Sequence, residues 1–196
     1  MATRHNLSSN PFCGVDVTDW TSNGAAPVRT DVTGLGFDRQ WAALFSDGSV
    51  AFSPQAAAAA GLAYTVSVHV KPTNLPINGN IFIEFLNGSG GSLGFSSSAF
   101  TAPLGAVTRI SQSDIAPAST AFTRFVITGE NYLSNPSYYT QHLPEQSAVL
   151  GSYFDGKTVP GGSWDGPLDS STSTLVDVAQ SLPPQSYATR RALLVR

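Results

Sequence analysis

His5, His69 and His142 are the residues from which proton transfer or metal chemistry would have to start in this sequence. A nucleophilic site would couple one of them to a serine or to Cys13, with a carboxylate to orient the ring. None of the three lies in a nucleophile-elbow or similar context, so no catalytic residue is assigned and the plain reading is three unrelated polar side chains. Their wide separation along the chain gives no metal-ligand spacing either. Carboxylate pairs for glycoside cleavage can be drawn from Glu84, Asp114, Glu130 and Glu145, but almost any chain supplies such pairs, and acids mostly occupy the surface. Gly88-Ser89-Gly90-Gly91 lacks the lysine and following helix that a phosphate-cradling loop needs, and reads as a hairpin turn.

Non-covalent recognition of sugars has a different requirement: aromatic rings to lie against the apolar faces of the sugar, plus a few fixed polar groups for its hydroxyls. The polar faces of the expected strands carry His69, Lys71, Phe82, Glu84, Arg124 and one of the adjacent Tyr138 and Tyr139. From this set His69, Glu84, Arg124 and Tyr138 are the candidate glycan-binding residues. The competing reading puts Phe82 and the tyrosines inside the protein and leaves His69 and Glu84 as ordinary surface residues.

These side chains need strands to hold them. In Leu62 to Lys71, Leu62, Tyr64, Val66, Val68 and Val70 alternate with Ala63, Thr65, Ser67, His69 and Lys71, the period of a strand with one buried face. Asn80 to Leu86 repeats the pattern, with Ile81, Ile83 and Phe85 on one face and Phe82 and Glu84 on the other. Further strands are expected at Val28 to Thr33, Gln40 to Phe45, Ser49 to Ser53, Val107 to Gln112, Ala121 to Thr128 and Tyr138 to Leu143. Gln55 and Ala56 to Ala60, closed by Gly61, predict one or two helical turns.

Composition agrees with an all-β fold. Charged residues are 12% of the 196, hydrophobic residues 41%, and turn formers are frequent. The expected architecture is a jelly-roll-like antiparallel β-sandwich over residues 1–150, followed by an extended C-terminal segment over 151–196. That segment is rich in Gly, Ser and Thr and has too few apolar residues for a core of its own. In it Tyr153, Phe154 and Trp164 are expected to anchor the segment onto the domain or onto a neighbouring subunit, as assembly contacts. Trp20 and Trp41 are expected in core or edge packing. The lone Cys13 rules out an intramolecular disulfide and is expected to be a buried thiol.

A formal net charge of -3 gives no footprint for nucleic acid. The opening Met1-Ala2-Thr3-Arg4-His5-Asn6 has no signal-peptide pattern, and no run approaches a membrane span, so synthesis in a cytoplasm without membrane insertion is expected.

The opening Asn6-Leu7-Ser8-Ser9-Asn10-Pro11 with Trp20, and the closing Tyr153-Phe154-Asp155-Gly156, Trp164-Asp165-Gly166 and Ser171-Thr172-Ser173-Thr174, resemble the carbohydrate-binding-module-like minor tail proteins of phages infecting actinobacteria. Between them Tyr64 to Lys71 is similar to that family's central strand and Phe122-Thr123-Arg124 to its aromatic-x-Arg strand. Tyr138-Tyr139 and Glu145 fall where its last jelly-roll strand would run. The resemblance spans residues 6 to 174 and lies in the order of the motifs. It implies a jelly-roll module on the virion tail, with other tail proteins as partners, oligomeric in the virion and able to contact host cell-envelope glycan. The alternatives are a purely architectural tail subunit, using the residues after Leu175 to hold its neighbours, and an enzyme acting on envelope polysaccharide. Modules of this kind often hold a structural calcium, yet the positions concerned fall on Cys13 or Gly14 and near Thr140, with Asp16, Asp19 and Glu145 nearby, so no calcium or a rebuilt site is expected and no cofactor is assigned.

Overall fold

The computed structural model describes residues 3–8, 10–11, 13–46, 50–129, 135–154, 160, 162–166 and 172–176. In chain order the strands are β1 (Thr3–Asn6), β2 (Thr21–Ser22), β3 (Val28–Asp31), β4 (Trp41–Phe45), β5 (Val50–Phe52), β6 (Ala56–Ala57) and β7 (Ala63–Pro72). They continue as β8 (Ile77–Leu86), β9 (Ser92–Ala102), β10 (Thr108–Ile115), β11 (Phe122–Gly129), β12 (Ser137–Glu145), β13 (Gly162–Trp164) and β14 (Ser173–Val176). Among the described residues there is no helix, so the chain is all-β, built from antiparallel sheets.

A five-stranded sheet in the order β10-β7-β12-β4-β3 faces a six-stranded sheet in which β2-β5-β11-β8-β9 follow one another and β6 also pairs with β11. The alternation seen in the sequence builds the core between them. Tyr64, Val66, Val68 and Val70 of β7 point inward, as do Ile77, Ile81, Ile83 and Phe85 of β8 and Phe125 and Ile127 of β11. Trp20 is buried in this core, with its ring 6.0 Å from that of Phe45 and 5.6 Å from that of Phe125, and Trp41 packs at its margin. At one corner the two sheets are tied by side chains, Ser98 Oγ donating to the Ser111 carbonyl and Gln112 Nε2 to Ser96 Oγ.

Every expected strand is present within a few residues of its expected ends. The helical turns expected at Gln55 to Ala60 are absent, because Ala56–Ala57 pairs with Phe122 and Thr123 and Ala58 N–H reaches the Ala121 carbonyl. Six residues cannot repay helix nucleation when an adjacent strand offers partners, and alanine's small side chain suits either state. Asn87 to Gly91 makes the expected turn, with Gly90 at φ 81° and the Asn87 side-chain carbonyl accepting from the N–H groups of Ser89 and Gly91. The eleven-residue β9 was not expected; its serines interrupt the apolar alternation that marks a strand.

A third layer completes the fold. β1, β14 and β13 form a three-stranded sheet in which Thr3 lies opposite Val176 and Asn6 opposite Ser173, so residues from the two expected segments share one sheet. It packs on the outer side of the five-stranded sheet. Beyond a register shift between Thr140 and Leu143, Leu143 pairs with the outward Ser67 and meets Phe154, Leu175 and Tyr153 in a second, smaller cluster. Arg4 joins the layers, forming an ion pair with Glu145 at 2.7 Å, donating to the Ser152 carbonyl and lying 4.8 Å above the Phe154 ring. Phe154→Ala, which empties the centre of this cluster, is expected to cost about 3 kcal/mol or more and to open the chain after Glu145 to protease; a cleavage rate equal to that of the wild type would refute the clamp.

Candidate functional site

The pleat gives each sheet a second face, and on the six-stranded sheet that face is not covered by the third layer. On β8 the residues between the core positions, Asn78, Asn80, Phe82 and Glu84, point outward. Their cross-strand partners on β11 are Thr128 for Asn80, Val126 for Phe82 and Arg124 for Glu84. On β9 Thr101, Ala99, Ser97 and Phe95 stand opposite Asn78, Asn80, Phe82 and Glu84. From β5, Val50 and Phe52 join opposite Thr128 and Val126.

One end of this face is aromatic and the other is rich in amides and hydroxyls. At the aromatic end the Phe82 and Phe95 rings meet edge to face with centroids 5.5 Å apart, and Phe95 is 66% exposed. Arg124 Nε donates to Glu84 Oε2 at 2.7 Å, and the guanidinium lies 4.6 Å above the Phe52 ring. A depression of about 220 Å³ is bounded by Phe52, Phe82, Glu84, Phe95, Val126, Val50 and Thr128. A second, of about 700 Å³, continues past Val50 and Thr128 toward Asn78, Asn80 and Thr101. From Glu84 to Asn78 is six residues of strand, on the order of 20 Å.

The four candidate glycan residues therefore fall into two groups. Glu84 and Arg124 are brought into contact on the six-stranded sheet, whereas His69 and Tyr138 lie on the outer face of the five-stranded sheet, on the other side of the core. Tyr138 stands opposite Lys71 and Leu44, while its neighbour Tyr139 is buried in the core. His69 lies opposite Arg109 on one side and Thr140 on the other, and Tyr153 meets its ring edge to face at 6.1 Å. Burial, and then the Arg109 guanidinium, push the His69 imidazole down to about 4 against a weaker pull from Asp38, so it is uncharged at neutral pH. Arg109 donates to Ser67 Oγ and to the Gly151 carbonyl, holding the chain after β12 across that face.

The expected assembly contacts are placed in the same way. Phe154 is fully buried within its own chain against Leu143 and Leu175, anchoring the segment onto the domain. Tyr153 is half-buried beside it over His69, and Trp164 is half-buried on β13 opposite Ser173. Sequence reasoning missed Phe52, Phe95, Asn78 and Thr128. Phe52 has the size of a core residue and sits in a three-residue strand, and Phe95 lies on the unexpected β9.

The positions where a calcium would sit do not fit one. Cys13 offers sulfur rather than oxygen, and burial raises its thiol to about 12, so it carries no charge either. Thr140 spends its hydroxyl on the Trp41 carbonyl, and Glu145 is ion-paired with Arg4. Calcium needs six to eight oxygens with uncompensated negative charge. Asp16 is bound instead to the Asn10 amide and the Thr18 N–H.

Near the same bulge, His142 is fully enclosed, with its ring 4.9 Å from Phe125 and 5.8 Å from Trp20. Burial pushes its imidazole from 6.5 down to about 3. Between those values the unfolded chain binds a proton that the folded chain refuses, so stability is complete above pH 6.5 and falls as pH drops toward 3. His69 acts in the same direction, less strongly because it is part exposed. Urea midpoints measured from pH 7 to pH 4 should decline more steeply for wild type than for His142→Phe; parallel curves would exclude this linkage.

No protein-family model and no curated protein matches the chain. Solved structures do. The chain is similar to the C-terminal family 22 carbohydrate-binding module of Clostridium thermocellum Xyn10B, at 13% identity and TM-score 0.54 over 72% of this chain and 94% of that one. It is similar to an N-terminal family 22 and GH10 two-module structure of the same xylanase, complexed with xylohexaose, at 16% identity and TM-score 0.53 over 68% of this chain and 27% of that one. It is also similar to the enzymatically active domain of bacteriophage CBA120 tailspike protein 4, at 13% identity and TM-score 0.55 over 71% of this chain and 21% of that one. The chain thus spans about a quarter of the two-module xylanase structure and about a fifth of the tailspike chain. At these identities the likeness establishes the fold alone, an antiparallel jelly-roll sandwich.

Proposed function

We propose that this protein is a virion tail component, of the minor tail protein kind, whose jelly-roll domain attaches the particle to host cell-envelope glycan through the outer face of the six-stranded sheet. The observation that carries this reading is the open face itself. Phe52, Phe82 and Phe95 stand beside an Arg124–Glu84 pair, and amides and hydroxyls continue along the same strands. Rings cover the apolar face of a sugar while fixed polar groups take its hydroxyls. The fold supports the reading at a coarser level, since structural neighbours include carbohydrate-binding modules and a phage tailspike domain. Host attachment and the tail location rest on the resemblance of the sequence motifs, with the tailspike likeness in weak agreement.

Binding without cleavage is the reading the charges favour. Among the described residues Glu84 is the one carboxylate on this face, it is ion-paired, and glycoside cleavage takes two carboxylates. A shallow site of this kind is weak per copy, and an oligomer in the virion would multiply it by raising the local concentration of sites.

The test is binding of the protein, displayed in many copies on beads, to host cell-wall polysaccharide. Phe82→Ala and Phe95→Ala should each weaken binding about tenfold, ~1.4 kcal/mol per ring, with no reducing sugar released. Tyr138→Ala, on the opposite side of the core, should bind as wild type does. Loss of binding in Tyr138→Ala alone would move the site to the other sheet. No binding by the wild type would leave the architectural role.

A further inference from the structure

Arg124 and Glu84 use only part of their hydrogen-bonding capacity on each other. The contact joins Nε of the guanidinium to Oε2 of the carboxylate at 2.7 Å. Among the described residues, the two Nη atoms of Arg124 and Oε1 of Glu84 have no further partner, and the side chains are 23% and 13% exposed. A guanidinium is a planar fork of five donors and a carboxylate accepts through both oxygens, so unspent donors stand next to an unspent acceptor. Both groups are held by contacts within the face. The two residues lie directly opposite each other on paired strands, and the Arg124 guanidinium carbon sits 4.6 Å from the centre of the Phe52 ring.

A donor array beside an acceptor matches a particular ligand feature. Two hydroxyls on neighbouring ring carbons of a sugar can accept an N–H through one oxygen and donate an O–H from the other. On the next strand Phe95 lies opposite Glu84, largely exposed, where the C–H face of the same sugar would rest. The pair also cancels its own charge, and no other charged side chain among the described residues lies on this face.

Resting on the glycan reading above, we propose that the Arg124–Glu84 pair is a clamp for the vicinal diol of an uncharged sugar, with Phe95 as its platform. An uncharged ligand on a neutral face makes binding insensitive to salt, unlike capture of an anionic polymer.

The experiment uses a panel of uncharged poly- and oligosaccharides, xylohexaose among them, each presented native and after periodate oxidation with borohydride reduction, which cleaves the carbon–carbon bond of vicinal diols and leaves alcohols. Wild-type protein should bind a native member at least about tenfold better than its oxidised form, the equivalent of ~1.4 kcal/mol. Affinity should change less than about twofold from low to high salt. Arg124→Lys, which keeps the charge and loses the fork, and Glu84→Gln should each lower native binding about tenfold with unchanged circular dichroism. Equal binding of native and oxidised polymer, or a steep fall with salt, would overturn the clamp and leave the glycan reading standing. No binding to any native member, host cell-wall polysaccharide included, would overturn the glycan reading itself.

Discussion

The fold depends on the burial of one shared set of apolar side chains between two sheets, and through the pleat that burial also decides the composition of both outer surfaces. Each strand that sends Val, Ile or Phe into that core must send the intervening residues outward. β7 and β8 each supply four inward side chains, so each also supplies a row on an outer face. The main core is thus one apolar layer between the two large sheets, with an outer surface on either side.

The two surfaces are treated differently. On the five-stranded sheet the bulge in β12 turns Leu143 outward, and the chain after Glu145 is drawn back across the strands by Arg4 and Arg109, with Phe154 and Leu175 closing a small second core. Burying Glu145 beside Arg4 is stabilising only because the carboxylate keeps its partner; alone it would carry a large desolvation penalty. On the six-stranded sheet no such layer exists among the described residues, and Phe95 stays 66% exposed. A large ring left in water on a flat sheet costs solubility and invites edge or face association. Its retention beside a fixed ion pair is consistent with a surface kept open for a ligand.

Much of the fold was legible in the sequence because burial imposes a period of two, and Tyr64 to Lys71 and Ile81 to Phe85 follow it closely. Legibility failed where burial did not govern the residue type. β9 exposes Ser97 and Ala99 and reads as linker, and the alanines at 56 to 60 follow the neighbouring strand rather than their own propensity. The site was half legible for the same reason. Alternation told Glu84 and Arg124 from the core, but strand parity does not say which sheet a residue belongs to, so His69 and Tyr138 were grouped with side chains that lie across the core from them. Only the pairing of β11 with β8, a contact between residues 40 apart in sequence at Glu84 and Arg124, makes a site of two otherwise ordinary surface charges.

The third layer also fixes which side of the sandwich stays open. Thr3 lies opposite Val176, so β1 and β14, far apart in sequence, pair in the layer that covers the five-stranded sheet. The aromatic face is on the other sheet, beyond the main core. The third layer and the open aromatic face are thus separated by the thickness of the sandwich, and substitutions on one side leave the other largely undisturbed, because sites far apart with no shared contacts contribute nearly independently.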